Sequence, residues 1–369
     1  MPTLFNARLY RYLDWPLVLG VFLLCLVGLI MIYSTTYDPI SGEVGGQLFR
    51  QILSLVVGFV VLWFSLKIDY KVWSDYAMPI YIGMLVLLIY NEIFSPEIAG
   101  VQRWITIGSF NLQASEFSRV AVVLMLANIF AKLNFSNLAM RDLLFATVIV
   151  GIPFVLIANQ PDLGTAVILL PIGLAIVTFS GLSKRVLASL VILVVLAAPV
   201  VWIYSLEDYQ RTRILSFLDP EKDPRGAGYQ QIQARITVGS GGLNGKGFLN
   251  GTQSQYNFLP AAHNDFIFSV LAEEHGFLGV LFTLGLYLFV IIRSLNVAVV
   301  AKDHIGLLIV VGITTGFLFQ VIYNVTMSAG LAPVKGLPLP LISYGGSSIV
   351  STLIGFGFIL NVGMRRFAN

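Results

Sequence analysis

Apolar runs of about 20 residues, most of them closed by a short polar turn, recur about ten times along the chain. A run of that length spans the hydrocarbon core of a bilayer as a helix, so each predicts one membrane span. The first two fall at about 15–34 and 48–66 and the third ends near Tyr90. The fourth starts at Ser115 and Glu116, the fifth ends at Gln160, and the sixth and seventh flank Lys184 and Arg185 and end near Tyr204. The eighth starts at Asn264 and Asp265, the ninth ends near Met327 and the tenth follows Ser348. The predicted fold class is an all-α integral membrane protein of about ten transmembrane helices, with one long extracytoplasmic loop between helices 7 and 8. Residues 1–369 are read as a single polytopic membrane domain, with 205–265 as the loop within it.

Composition agrees: 57% of the 369 residues are hydrophobic and only 11% charged, which excludes an ordinary soluble domain. The placement of the 22 Lys and Arg residues says more than the net charge of +3. Arg8, Arg11, Lys67, Lys71, Lys132, Arg141, Lys184, Arg185, Arg293, Lys302, Arg365 and Arg366 all fall in connections of one side, which is therefore the cytoplasm, with both termini on it. The single cysteine, Cys25, excludes an internal disulfide and a thiol metal cluster. The first apolar run is too long for a signal peptide's core and is read as a retained span.

The outward connections hold the candidate chemistry. Glu116 and Arg119, three residues apart, share a helix face where span four begins. They form either a cap with a local ion pair or a functional pair facing a cavity. Trp104 just before them reads as an aromatic-belt residue. Asp162, within Gln160-Pro-Asp-Leu-Gly-Thr165, is either the cap of span six or a second functional acid. In the loop, Tyr209, Arg211, Arg213, Phe217, Tyr229, Phe248 and Tyr256 interleave base and aromatic, a composition that predicts ordered short helices on the membrane surface. Gly239-Ser-Gly-Gly-Leu-Asn-Gly-Lys246-Gly247 breaks the phosphate-loop spacing, because Ser240 and Gly247 stand where Gly and Ser or Thr are required. What survives is an anion held by the turn's N–H groups and Lys246. Asn264 and Asp265 read either as an N-cap and first turn or as a functional acid. Asp265 and Glu273 would lie about 12 Å apart along a helix, too far for a carboxylate dyad. Three prolines between 333 and 340 forbid a regular helix before span ten, and irregular backbone near membrane depth is either buried or lines a wet cavity.

Together these stretches resemble the SEDS family of bacterial cell-wall polymerases over nearly the whole chain. The segment 100–119 is similar to the family's Gln-Arg-Trp and Ser-Glu run, 160–165 to its Gln-Pro-Asp-Leu-Gly-Thr, and 338–346 to its Pro-Leu-Pro and Ser-Tyr-Gly-Gly run. The loop, above all Gly251-Thr-Gln-Ser-Gln255, resembles the elongation members, whereas Lys335-Gly-Leu-Pro338 and Ser347-Ser348 are nearer the division members. Ala114, Arg119, Ala261 and Asn264 depart from the usual Pro, Lys, Glu and Thr.

The resemblance implies a peptidoglycan glycosyltransferase of the bacterial inner membrane that polymerises lipid II into β-1,4 glycan for elongation, its active site facing the periplasm. Asp265 matches the family's catalytic carboxylate. Arg103, Arg119, Arg211 and Lys246 are expected at the phosphates, with Glu116 and Asp162 orienting those cations. Implied partners are lipid II, an undecaprenyl-pyrophosphate-linked glycan, a class B penicillin-binding protein and elongation-complex proteins, with no nucleic acid. No metal-ligand spacing is present, and a divalent cation at the pyrophosphate stays open. A division-type polymerase, a lipid II flippase and a scaffold for a transpeptidase are the alternatives.

Overall fold

An apolar run in a bilayer has no water to satisfy its backbone groups, so it closes its hydrogen bonds internally as a helix. The computed structural model describes residues 11–38, 41–95, 103–107, 110–133, 138, 140–183, 186, 188, 189, 208–222, 227–256 and 258–367. In chain order these form α1 (Trp15–Thr36), α2 (Gly46–Lys67), a short α3 (Tyr70–Asp75), α4 (Ala77–Phe94), and a hairpin of β1 (Ile105–Ile107) and β2 (Phe110–Leu112). Then follow α5 (Ala114–Phe130), α6 (Met140–Asn159), α7 (Leu163–Phe179), α8 (Asp208–Leu218), α9 (Ala227–Ser240) and the single turn α10 (Thr252–Gln255). The chain closes with α11 (Ile267–Val299), α12 (His304–Ser328) and α13 (Gly346–Met364).

Among the described residues, α1, α2, α4, α6, α11, α12 and α13 are long and apolar enough to cross a membrane. With α5 and α7 at 17 residues each, they account for all the predicted spans except the seventh, most of which lies outside the described residues. The chain is a multi-pass membrane protein. The central helix is α13, buried along nearly its whole length against α2, α5, α11 and α12. By contrast α11 leaves Phe277, Leu278, Leu281 and Phe282 exposed, as a lipid-facing stripe requires.

The basic ends meet as the charge pattern predicts. Arg293 near the end of α11 pairs with Asp14 before α1 at 2.7 Å, Arg365 after α13 with Asp69 at 3.6 Å, and Lys71 with Asp303 at 2.9 Å. Asp303 also caps α12 by accepting the Gly306 N–H at 2.9 Å, and accepts the Tyr70 hydroxyl at 2.9 Å. All these ends therefore lie on one side of the bundle.

Two expectations change. The loop does contain short helices, but α9 packs on α11 and α12 instead of only resting on the membrane surface, and Ala234 and Thr237 are fully buried there. The glycine-rich turn after α9 is not an anion nest. It is spliced into a break in α11, where Gly276 has φ 62° and ψ −163°. There the N–H groups of Lys246 and Gly247 donate to the carbonyls of Glu273 and Glu274, both at 2.9 Å. In return Phe277 and Leu278 donate to the carbonyls of Gly242 and Leu243 at 2.9 and 3.2 Å. The donors that an anion would need are used to mend the helix. Only glycine permits this approach, because a Cβ on Gly241 would lie 1.9 Å from the Ala272 oxygen. Past the break, 277–299 runs about 34 Å, enough to span.

Gly241→Ala is expected to destabilise the protein by about 1–3 kcal/mol, read as a lower melting temperature in detergent. Gly239→Ala, with nothing within 4 Å of the added carbon, is the control and should melt unchanged or higher. Burial pushes the Asp303 carboxyl up, but the Gly306 N–H, Lys71 and Tyr70 outweigh it and hold the group below its usual range. A lowered carboxyl stabilises the fold above its ordinary pKa of about 3.9 and stops doing so as pH falls through the lowered value. Asp303→Asn should therefore melt earlier than the natural chain at pH 7, with the gap closing below about pH 3.9; a gap independent of pH would contradict the linkage.

Candidate active site

Opposite the charged ends, the starts of α2, α5, α7 and α13 surround a cavity of about 510 Å³. Its wall includes Arg50, Arg103, Trp104, Gln113, Glu116, Asp162, Asn264 and Asp265, together with Gly336, Pro338, Tyr344 and Gly345 of the irregular segment before α13 and the first turn of α13. Trp104, expected in an aromatic belt, belongs to this wall instead.

The irregular segment is shaped by its missing donors. Prolines 333, 338 and 340 contribute no N–H, and the carbonyls of an unwound chain at this depth need partners from elsewhere. Side chains of the surrounding helices supply them. Gln51 on α2 donates to the Ser343 carbonyl at 3.0 Å, Gln320 on α12 to that of Pro338 at 2.9 Å, and Tyr287 on α11 to that of Pro340. Asn324, fully buried on α12, donates both to the Leu337 carbonyl at 2.7 Å and to the Asp265 carbonyl at 2.9 Å.

That double contact fixes the acid. The Ser343 hydroxyl donates to the Asn264 carbonyl at 2.6 Å and accepts the Leu339 N–H at 2.7 Å, while the Tyr344 N–H donates to the His263 carbonyl at 2.9 Å. Residues 263–265 are thus stapled to 337–344 by their backbones, leaving the Asp265 side chain on the cavity wall. The helix that follows starts at Ile267 with Phe266 as its cap residue and no side-chain cap bond, so the N-cap reading of Asn264 and Asp265 is overturned. Ala261 and Leu341 hold φ of 53° and 67°, backbone values that non-glycine residues adopt rarely, in the two segments that meet here. Burial pushes the His263 imidazole down, which keeps it neutral near Asp265 at neutral pH.

The other predicted residues divide into two groups. Arg103, Glu116, Asp162 and Asp265 line the one cavity. Arg103 donates its Nε to the Gln160 carbonyl at 2.7 Å and an Nη to that of Pro161, which ties the segment after α4 to the turn before α7. Asp162 does cap α7, through Thr165 N–H at 3.4 Å, and also accepts from Gln113 at 2.8 Å and the Ser115 hydroxyl at 3.2 Å. Its partners are thus neutral groups, not the cations expected. Ser115 is no cap, since α5 begins at Ala114 and the hydroxyl is turned to Asp162.

Arg119, Arg211 and Lys246 do not line the cavity. Arg119 is buried behind it, paired with Glu116 at 3.1 Å and donating to Gln320 at 2.6 Å, Thr352 at 2.9 Å and the Ser348 carbonyl at 3.1 Å. It ties α5 to α12 and α13. Lys246 pairs with the buried Glu273 at 2.6 Å beside the break in α11. Arg211 sits on α8. Among the described residues no group of three or more His, Cys, Asp or Glu is placed to hold a metal.

Sequence reasoning passed over Arg50, Gln51 and Asn324. The adjacent Arg50 and Gln51 are polar residues at the outer edge of an apolar run, and such residues in a span are functional candidates by default. Asn324 carried no comparable signal, because one Asn in a long helix is read as a tolerated polar residue.

The sequence model of a family described as "Cell cycle protein", FTSW_RODA_SPOVE, matches residues 15–367. The peptidoglycan glycosyltransferase MrdB of Escherichia coli K12 is 39% identical over 344 residues, 93% of either chain. The peptidoglycan glycosyltransferase RodA of Treponema pallidum (strain Nichols) is 31% identical over 424 residues, 96% of this chain and 98% of that one. A solved structure described as "Structural coordination of polymerization and crosslinking by a peptidoglycan synthase complex" superposes with a TM-score of 0.84 at 31% identity, covering 97% of this chain and 99% of that one.

Asn324→Leu keeps the branched shape, at somewhat larger volume, but removes both N–H donors, leaving two carbonyls unpaired at about 1–3 kcal/mol each. The expected result is a lower melting temperature together with faster hydrogen exchange at 263–266 and 337–344, with helix content unchanged. Native exchange rates at both segments would show that Asn324 does not hold them.

Proposed function

The chain belongs to the FtsW/RodA/SpoVE family, and from that premise we propose that it is a peptidoglycan glycosyltransferase that polymerises lipid II into β-1,4 glycan strands for cell elongation. The observation that carries the site assignment is the placement of Asp265: a carboxylate held by its backbone on the wall of a polar cavity at the outer ends of the helices. The sugar hydroxyl of lipid II bonds to the anomeric carbon of the lipid-linked glycan as the bond from that carbon to the pyrophosphate oxygen breaks. The hydroxyl proton passes to Asp265, and the electron pair leaves with undecaprenyl pyrophosphate. A base placed to take that proton contributes about 10² to 10⁴ in rate.

The arrangement of charge supports the orientation. Asp14, Lys71, Arg293 and Arg365 lie at the basic side, which the distribution of Lys and Arg assigns to the cytoplasm together with both termini. The cavity then opens at the periplasmic face, where lipid-linked sugars are presented. Arg103 acts from the cavity wall, and Glu116 acts through Arg119 by holding the wall in place. Lys246 serves the loop's own structure through Glu273 and Thr252. The likeness to a synthase complex that couples polymerisation with crosslinking supports a class B penicillin-binding protein as partner, with elongation-complex proteins beyond it.

Polymerisation of purified lipid II by the natural chain and by Asp265→Asn, with any transpeptidase partner inactivated, tests the proposal. Product formation is expected to fall at least about 100-fold in the variant at matched melting temperature. Undiminished polymer from Asp265→Asn would move the base elsewhere, and labelled lipid II crossing sealed vesicles without polymer from either chain would establish a flippase instead.

A further inference from the structure

Pyrophosphate chemistry needs a cation whose donors are free to meet it, and most cations expected there already have partners. The guanidinium of Arg103 is held by two carbonyls, that of Arg119 by Glu116 and the α12 and α13 side chains, and the ammonium of Lys246 by Glu273 and Thr252. Arg50 differs. It is exposed on the first turns of α2, on the wall of the same cavity, and among the described residues its side chain makes no hydrogen bond or ion pair.

The balance of charge makes that placement matter. The described lining holds the cations Arg50 and Arg103 against the carboxylates Glu116, Asp162 and Asp265. With Glu116 already paired to Arg119, the wall without Arg50 would set one committed cation, Arg103, against Asp162 and Asp265, an unfavourable setting for a dianionic or trianionic ligand. With it, a planar group of five N–H donors stands where a phosphate can be met in bidentate fashion.

We infer that Arg50 is the substrate-binding residue that takes the pyrophosphate of the lipid-linked donor, an assignment that rests on the glycosyltransferase reading above. It replaces Arg119 and Lys246 as the phosphate contact. Arg50 stands beside Phe49, which is 71% exposed, and so sits at the membrane's outer interface, where an anionic phospholipid headgroup offers the same phosphate-ester chemistry.

The test uses the full chain in nanodiscs of phosphatidylcholine, with binding of undecaprenyl pyrophosphate and of undecaprenol measured for the natural protein, Arg50→Gln and Arg50→Lys. Arg50→Gln is expected to weaken undecaprenyl pyrophosphate binding about tenfold while leaving undecaprenol unchanged, with Arg50→Lys recovering part of the loss. Its kcat/KM for lipid II should fall by at least a similar factor, because the contact serves the departing pyrophosphate as well as the bound one. Equal affinity of Arg50→Gln and the natural chain for undecaprenyl pyrophosphate, or no binding by either, would overturn the assignment. So would a defect confined to retention of added phosphatidylglycerol, which would make Arg50 a headgroup anchor. Binding that depends on Arg50 in a chain that polymerises no lipid II would support the phosphate contact while refuting the polymerase.

Discussion

Backbone carbonyls without donors of their own, set among the helices of a membrane bundle, are the constraint on which the site depends. Between Pro333 and Gly345 the chain is unwound and proline-rich, so its acceptors outnumber its donors. In lipid each unmet group costs several kcal/mol. The helices answer with Gln51, Tyr287, Gln320 and Asn324, four polar side chains in otherwise apolar spans. Because Asn324 has two N–H donors and uses the second on Asp265, satisfying the segment also positions the acid. Structure and chemistry share one amide.

The same rule explains α11. A spanning helix broken at Gly276 exposes acceptors before the break and donors after it, and the glycine-rich turn provides both complements. Glu273, at the end of the first piece, then gathers Lys246, Thr252 and the Gln253 N–H on its buried carboxylate. A sequence that looks suited to an anion is thus occupied by the protein's own backbone. The break also lets 267–274 pack inside protein on every side while 277–299 buries one face and turns the other to lipid.

Charge follows from burial. A guanidinium shut inside a helical bundle must be met by several acceptors, because removing one partner from a buried pair costs about 3–5 kcal/mol. Arg119 has such partners on three helices, which makes it a strut between them. A cation that binds a passing anion must instead keep its donors for water in the free state. Only a rim position such as that of Arg50 permits this.

Much was legible in the chain itself. The spans at α1, α2, α12 and α13, the shared side of Lys71, Arg293 and Arg365, and the irregular run around the prolines follow from hydropathy, the placement of charge and proline's missing donor, all properties of local sequence. Asp265 was marked among the acids by resemblance, but whether it capped a helix or faced a cavity depended on where α11 began. What tertiary structure alone decided was the identity of partners: that Asn324 holds Asp265, that Lys246 belongs to Glu273, and that Arg119 stands behind the cavity while Arg50 stands on its wall. The two pairs are 59 and 27 residues apart in the chain, and Arg119 meets Gln320 across 201; sequence spacing carries no information about which distant donor reaches which acceptor. Packing chose them, because each buried polar group had to find a partner among whatever the folded helices brought within hydrogen-bond reach.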